Sequence, residues 1–515
     1  MNGASFIGRN QLGKYARWDS TTVKLLGAVE VLFAIFLLVP TLIALWYGED
    51  FRIFTIIIPP LAVAGVLQYI LFNESKNFRA INGLLLMVFA WILVFLIGLV
   101  PFLLSGMSPL DALFESVSCL TTTGMSVVSD IDGSPNSLMV WRSLLQWIGG
   151  IAVIIIFMYI LPMLGIGRSF FVNELAGSGS SEYSVRMGKA AKSFVLVYCI
   201  FSLANLVLLL VSGLGFVDSL CLMMSTVSNG GMLNASTGLT YYSDAAQWIT
   251  IVFMFLSATN FYLHYRALYR HNKRVYRSNS EFKAMTFWFV LISLIITVIL
   301  VNNTLATQEL SIEMVYQHFK EVVFTTVSLG STNGFFMTDH TTWPAQCTIL
   351  LMIVAFIGAS SGSTSGGVKI ARLNVIYAFL KNSVSRILHP NAVYSVRIDD
   401  EYVDDKAVLS AISIFLVYFL TLIVGSVLLM LYGLDLVDSF GLSIAAISNG
   451  GIGFGSFGPS ATFATLDPVM KCVLMALMWI GRLEILTALV LFTPGFWREL
   501  YLNHRANKRM KALEK

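Results

Sequence analysis

Four short stretches place an acid, hydroxyl or amide side chains and a glycine at one spacing: DALFESVSCLTTTGM at 111–125, DSLCLMMSTVSNGGM at 218–232, EVVFTTVSLGSTNGF at 321–335 and DSFGLSIAAISNGGI at 438–452. The glycines Gly124, Gly231, Gly334 and Gly451 each follow their acid by 13 residues, so the register holds without gaps. Before them stand Thr121, Thr122 and Thr123 in the first copy, Ser228, Asn229 and Gly230 in the second, Ser331, Thr332 and Asn333 in the third, and Ser448, Asn449 and Gly450 in the fourth. These residue types carry oxygens and flexible backbone but no nucleophile paired with a base. The chemistry they suit is coordination of a dehydrated cation. A glycine free in φ lets successive carbonyls face one axis, and rings of such oxygens can replace an ion's hydration shell, as in potassium filters.

The elements that position these residues follow from the same stretches. Each is apolar between the acid and the glycine, which predicts a short helix whose acid sits at its positive end. The far end then turns bare carbonyls and partial negative charge toward a bound cation. A single such segment reads as an ordinary helix C-cap, since Asn and Gly are common there. Four copies in register between long apolar spans argue a pseudo-fourfold object.

Composition sets the class. Of 515 residues 57% are hydrophobic and 12% charged, with a mean hydropathy of +0.77, which predicts an integral membrane protein. The net charge of +4 is small, and the basic residues lie in short blocks between apolar runs, so no nucleic-acid partner is expected. The five cysteines have no paired spacing and imply neither disulfides nor metal. The first twenty residues are polar and basic without a cleavage site and read as no signal peptide.

Apolar runs long enough to span occur at 24–46, 53–72, 82–104, 138–163, 190–213, 244–266, 284–303, 343–381, 406–432 and 467–494, ten in all. The four glycine segments are too short to cross a bilayer core of about 30 Å and read as re-entrant half-helices. The expected fold is all-α and membrane-embedded: four parallel span/half-helix/span repeats around a central pore, plus an N-terminal two-helix hairpin. The boundaries are 1–75 for the tail and hairpin, 76–168, 169–278 and 279–388 for the first three repeats, and 389–515 for the fourth repeat and C-terminal tail. Basic blocks at Arg9/Lys14/Arg17, Arg266 to Arg277, Arg372/Lys381/Arg386 and Arg498 to Lys515 fall on one side of ten spans. That side is the cytoplasm by the positive-inside rule, with both termini there, and the half-helices enter from outside near Asp130, Asp244 and Asp339.

Two features lie at membrane depth outside the glycine segments. Gly358 to Lys369, GASSGSTSGGVK, interrupts the eighth run about fourteen residues in from Pro344, a depth of roughly 21 Å along a helix. Small residues and free backbone there suggest a flexible gate of Gly358, Gly362, Ser363, Thr364, Ser365, Gly366 and Gly367; a packing kink is the plainer reading. Arg482 lies with Glu484 in the last run, where an arginine is costly unless it meets water, carbonyls or a carboxylate. It reads either as a fixed positive charge beneath the filter or as half of a buried ion pair. Gly453 to Gly458 matches GxGxxG but follows a half-helix rather than a strand. His264 reads as part of an interfacial aromatic and basic cluster. No constellation supports an enzyme.

The segments TTTGM, SNGGM, STNGF and SNGGI, with WIGGIAVIIIFMYILPMLGIG at 147–167, MFLSATNFYLHYRAL at 254–268, GSTSGGVKIAR at 362–372 and WIGRLEILTALVLFTPGFW at 479–497, resemble the Trk/Ktr/HKT superfamily of potassium transporters. The leading hairpin and the length are more similar to its TrkH branch than to the KtrB branch. The resemblance implies a potassium uptake subunit of the bacterial inner membrane, a homodimer with one pore per protomer. It also implies gating by cytoplasmic TrkA-type subunits that bind the regulatory nucleotide, NAD or ATP/ADP, so that this chain itself carries no cofactor. It makes Gly124, Gly231, Gly334 and Gly451 the filter glycines, Gly358 to Gly367 the gating loop and Arg482 the sub-filter arginine. Asn229, Asn333 and Ile452 depart from the usual residues. Coupling of flux to protons or sodium, and a non-selective Na+/K+ pore, stay open as alternatives.

Overall fold

The computed structural model describes residues 20–73, 80–163, 180–305, 309, 311–389, 391, 395–399, 401–459, 461–483, 485–491 and 493–499. Among them the regular elements are helices apart from one two-residue antiparallel ladder, β1 (Arg397–Ile398) against β2 (Glu401–Tyr402), which pairs Arg397 with Tyr402 and Ile398 with Glu401.

The expected hairpin is α1 (Ser20–Phe36) and α2 (Leu38–Tyr47) returning as α3 (Ile58–Leu71). Its two arms approach closely because a Cβ on Gly27 would lie 2.7 Å from the Gly65 carbonyl, and one on Gly65 would be as crowded by Gly27. Gln68 Nε2 adds a bond to the Glu30 carboxylate at 3.0 Å. Four repeats follow. The first is α4 (Ala80–Leu104), α5 (Pro109–Leu120) and α6 (Asn136–Met163). The second is α7 (Ser180–Val211), α8 (Phe216–Ser228), α9 (Asp244–Ala258) and α10 (Phe261–Tyr269). The third is α11 (Ser280–Thr304), α12 (Ile312–Gly330), α13 (Ala345–Ile357) and α14 (Ile370–Leu388). The fourth is α15 (Asp405–Leu431), α16 (Leu436–Ile447), α17 (Pro468–Arg482) and α18 (Ile485–Val490).

The repeats close into a ring. Each short helix packs on the first span of its own repeat and also on the second span of the repeat before it: α8 on α6, α12 on α9, α16 on α13, and α5 on α17. Ion pairs between Lys320 and Asp244, and between Lys471 Nζ and Asp111 at 2.7 Å, seal two of these seams. Glu49 of the hairpin caps α6, accepting from the Asn136 and Ser137 amides at 2.7 and 2.9 Å.

Two expectations need correction. Seven described helices are long and apolar enough to cross a membrane, and an eighth span, α9 with α10, bends by 100°. The run at 343–381 is interrupted over 358–369, as expected, whereas that at 467–494, expected as continuous, ends one helix at Arg482 and begins another at Ile485. The third short helix starts at Ile312, not at Glu321, because Ser311 caps it by accepting from the Met314 amide at 3.3 Å and apolar residues continue the helix. In the other three, Asp111, Asp218 and Asp438 do sit in the first turn.

Candidate ion filter and gate

The four short helices end in one geometry. The residue two before each glycine is left-handed: Thr122 at φ 53°, Asn229 at 54°, Thr332 at 56° and Asn449 at 55°. Their amides reach back three residues, and the next amides reach back five, Thr123 to Ser118 O, Gly230 to Ser225 O, Asn333 to Ser328 O and Gly450 to Ala445 O, all at 2.8–2.9 Å. That is the Schellman pattern, which normally ends at a left-handed glycine. Here Thr and Asn hold the strained position, and glycine stands two residues on, again at positive φ: 89° at Gly124, 79° at Gly231, 83° at Gly334 and 69° at Gly451. The C-cap reading and the filter reading thus describe the same atoms. The cap uses carbonyls inside the helix. Those of Thr121, Thr122, Ser228, Asn229, Ser331, Thr332, Ser448 and Asn449 accept no bond from the described residues.

The glycines have a second reason to be there. A Cβ on Gly124 would meet the Gly230 carbonyl oxygen, one on Gly231 that of Asn333, one on Gly334 that of Gly450, and one on Gly451 that of Thr123, each closer than 3.0 Å. Segment one touches two, two touches three, three touches four, and four touches one. The carbonyls just before the glycines therefore form a closed ring, each resting on the bare α-carbon of the segment before it.

The surroundings hold each segment differently. Behind the first, the fully buried Glu115 accepts from Arg142 Nε at 2.7 Å, from Ser126 Oγ at 3.0 Å and from the Val127 amide at 3.0 Å. Behind the second, Gln146 Nε2 donates to the Gly230 carbonyl at 2.5 Å and its Oε1 accepts from Ser225 Oγ at 2.8 Å. Asn333 Nδ2 donates to Ser225 O at 3.3 Å, and Asn449 Nδ2 to Thr123 Oγ1 at 3.0 Å. Arg142 and Gln146 were not singled out by sequence; polar residues within an apolar span were the available signal.

The 358–367 loop is buried at Gly358, Thr364 and their neighbours. Gly358 at φ 72° and Gly367 at 81° pack on each other, a Cβ on Gly367 meeting Gly358 Cα at 2.8 Å, and the Lys369 amide bonds Ile357 O at 2.9 Å, so the loop leaves and rejoins the helix at one point. Ser360 N donates to Ala258 O at 3.2 Å and Phe261 N to Gly362 O at 3.1 Å, which ties the loop to the break between α9 and α10. The Glu281 carboxylate accepts from the Ser361 amide at 2.5 Å and the Ala371 amide at 3.2 Å, capping α14, because Lys369, in the N-cap position just before it, makes no side-chain capping bond. Arg482 is 4% exposed and donates through Nη1 to Thr364 O at 3.0 Å, so its described partners are carbonyls; Glu484 lies outside the described residues. Gly362, Ser363, Ser365, Lys369, Asn449 and Arg482 help line a cavity of about 30 Å3, little more than one water's share of space. His264 is 1% exposed, bonded to Tyr276 Oη at 2.8 Å and Leu256 O at 2.9 Å, and its ring packs against Phe201, Phe261 and Tyr276, so it is buried within an aromatic cluster.

Comparison with known proteins agrees with this architecture. Residues 49–498 match the TrkH family, described as cation transport protein. The chain is 31% identical over 488 residues to the Trk system potassium uptake protein TrkH of Halomonas elongata, covering 93% of this chain and 99% of that one. It is 30% identical over 485 residues to the protein of the same name in Escherichia coli K12, covering 92% and 99%. The crystal structure of the potassium transporter TrkH from Vibrio parahaemolyticus superposes with a TM-score of 0.83 at 30% identity, over 93% of this chain and 99% of that one. By sequence over most of its length and by fold, the chain belongs to the TrkH family of cation transport proteins.

Proposed function

We propose that this chain is the potassium-translocating subunit of a Trk-type uptake system, passing K+ through the carbonyl ring of its four glycine segments. The observation that carries the reading is the closed ring, in which Thr123, Gly230, Asn333 and Gly450 each set a carbonyl against the glycine of the segment before it. Oxygens held without an intervening side chain can substitute for an ion's hydration shell. Thr121 to Gly124, Ser228 to Gly231, Ser331 to Gly334 and Ser448 to Gly451 are then the ion-binding residues. The 358–367 loop with Arg482 beneath them is the gate, and the small, cation-lined cavity is its shut form. The relatives' names, which speak of a potassium uptake system, support the same substrate.

In this reading the chain is a multi-pass protein of the bacterial inner membrane with cytoplasmic termini, and it works as a homodimer. A cytoplasmic TrkA-type subunit binds the regulatory nucleotide and controls the gate. The test is uptake into proteoliposomes holding the purified protein, comparing K+, Rb+ and Na+ with and without an imposed potential. Potassium and rubidium flux that follows the potential supports it; equal sodium flux sinks the selective filter, and flux that needs a proton or sodium gradient replaces the channel by a symporter.

A further inference from the structure

In three of the four segments the left-handed residue leans on the second span of its own repeat. Thr122 Cγ2 lies beside Gly149 of α6, Asn229 Oδ1 accepts from Ser257 Oγ of α9 at 2.9 Å, and Asn449 Oδ1 lies beside Gly481 of α17. The close approach to the carbonyls at the helix ends repeats as well: a Cβ on Gly149 would strike Leu120 O, and one on Gly481 would strike Ile447 O. Repeat three has no helix at that place. Its second span stops at Ile357, and the loop takes over: Gly366 N donates to Thr332 Oγ1 at 2.7 Å, and a Cβ on Gly366 would strike Ser448 O. The loop also reaches the second segment, where Asn229 Nδ2 donates to Thr364 Oγ1 at 2.9 Å and Thr364 Oγ1 in turn faces Val227 O at 3.2 Å and Ser257 O at 3.3 Å. The side chains that make these bonds are buried, with Asn229 and Thr364 at 0% exposure, while Gly366 is half-buried.

We infer that the 358–367 loop is the back wall of the filter as well as its gate, joined to it through Asn229–Thr364 and Thr332–Gly366, so that ion occupancy and gate position are one equilibrium. This rests on the filter and gate reading above. A loop that leaves the path must break the bonds to Thr332 and Asn229, and so it loosens the second and third segments, which keep Gln146–Gly230 and Asn333–Ser225, while the first keeps its Glu115–Arg142 brace and the fourth its bond to Thr123. The filter geometry that binds K+ best is the one with its wall in place. By reciprocity, K+ in the filter favours the docked loop by the same factor that docking favours K+. A filled filter thereby holds its own gate shut, which makes uptake self-limiting.

The test uses full-length protein in proteoliposomes with Ser361→Cys as a reporter, in a background with Cys199 and Cys472 replaced by Ser. Ser361 is half-buried in the loop, and those two are the exposed cysteines among the described residues. The rate of modification by a membrane-impermeant thiol reagent is measured in K+ and in an equal concentration of N-methylglucamine, alongside Rb+ and Na+ flux in the same vesicles. The expected result is labelling slowed by K+ about fivefold or more, the lower end of ordinary allosteric coupling. Thr364→Val should abolish the K+ effect and lower Rb+-over-Na+ selectivity, and Thr364→Ser, which keeps the hydroxyl, should restore both. Selective flux with labelling indifferent to K+ overturns the coupling and leaves the filter standing. A K+ effect that survives Thr364→Val in selective protein overturns the route through Asn229. Absence of Rb+-over-Na+ selectivity in the unmodified protein, measured in parallel vesicles, overturns the filter reading and the coupling with it.

Discussion

Replacing Gly124 by alanine is the sharpest test of the carbonyl ring. The added Cβ would lie 2.5 Å from the Gly230 oxygen, whereas ordinary contact begins at 3.4 Å, so one side must retreat by about 0.9 Å. The Gly230 carbonyl cannot swing freely, because Gln146 Nε2 holds it at 2.5 Å and Gln146 itself packs against Gly230. Two costs follow. Alanine at φ 89° carries left-handed strain of about 1–2 kcal/mol. Taking one dipole ligand out of line with a cation removes an interaction of the kind worth about 1.5–3 kcal/mol, hence roughly tenfold to a hundredfold in K+ preference. Gly433→Ala separates the two, since Gly433 has φ 95° and nothing within 4 Å of its Cβ position. Gly433→Ala should lose the stability that the strain costs, and Gly124→Ala at least as much. Gly124→Ala alone should shift the reversal potential measured between K+ and Na+ solutions toward zero. A permeability ratio within about twofold of wild type in folded Gly124→Ala protein would refute the reasoning.

Three further outcomes follow from the geometry. Arg482→Ala should raise cation flux through vesicles, because it removes a buried charge bonded to Thr364 O, and Arg482→Lys should stay near wild type; lower flux in folded Arg482→Ala protein would make the arginine a support and not a barrier. Arg142→Ala leaves the Glu115 carboxylate buried without its cation and should cost about 3–5 kcal/mol, read as a fall in melting temperature, with Arg142→Ala/Glu115→Gln recovering part of it. His340, outside the spans and 1% exposed, has its imidazole pushed by burial from 6.5 to about 4. The unfolded chain takes up a proton below about pH 6.5 that the folded one refuses until about 4, so stability complete above 6.5 is lost between those values, and His340→Gln should flatten the pH dependence of melting there.

Much of this architecture could be read from residue order. The constant spacing of acid and glycine placed the four short helices because a helix end and its cap are local events, governed by a few neighbouring residues. The 358–367 break was visible for the same reason, since glycine and serine weaken a helix where they stand. The N-terminus of α12 was misjudged because Glu321 mimics the start found in the other copies, while Ser311 ten residues earlier carries the capping bond. What pattern alone does not convey is which remote atoms meet. Gln146 reaches Gly230, Glu281 reaches Ser361, and Thr332 reaches Gly366 only once the ring has closed. Asn229 illustrates the limit: as a letter it was a departure from the usual filter residue, and in space it is the donor to Thr364.

The four segments of the ring lie on one polypeptide and are not copies of one sequence. In a pore assembled from four identical subunits, any substitution arrives at all four corners at once, and a change useful at one corner is tested together with the same change at the other three. Here Thr122, Asn229, Thr332 and Asn449 share a backbone conformation while each answers to a different neighbour. A mutation alters one quadrant and leaves three unchanged, so an ancestral fourfold object can drift corner by corner into specialised quarters without ever passing through a form that has lost the whole ring.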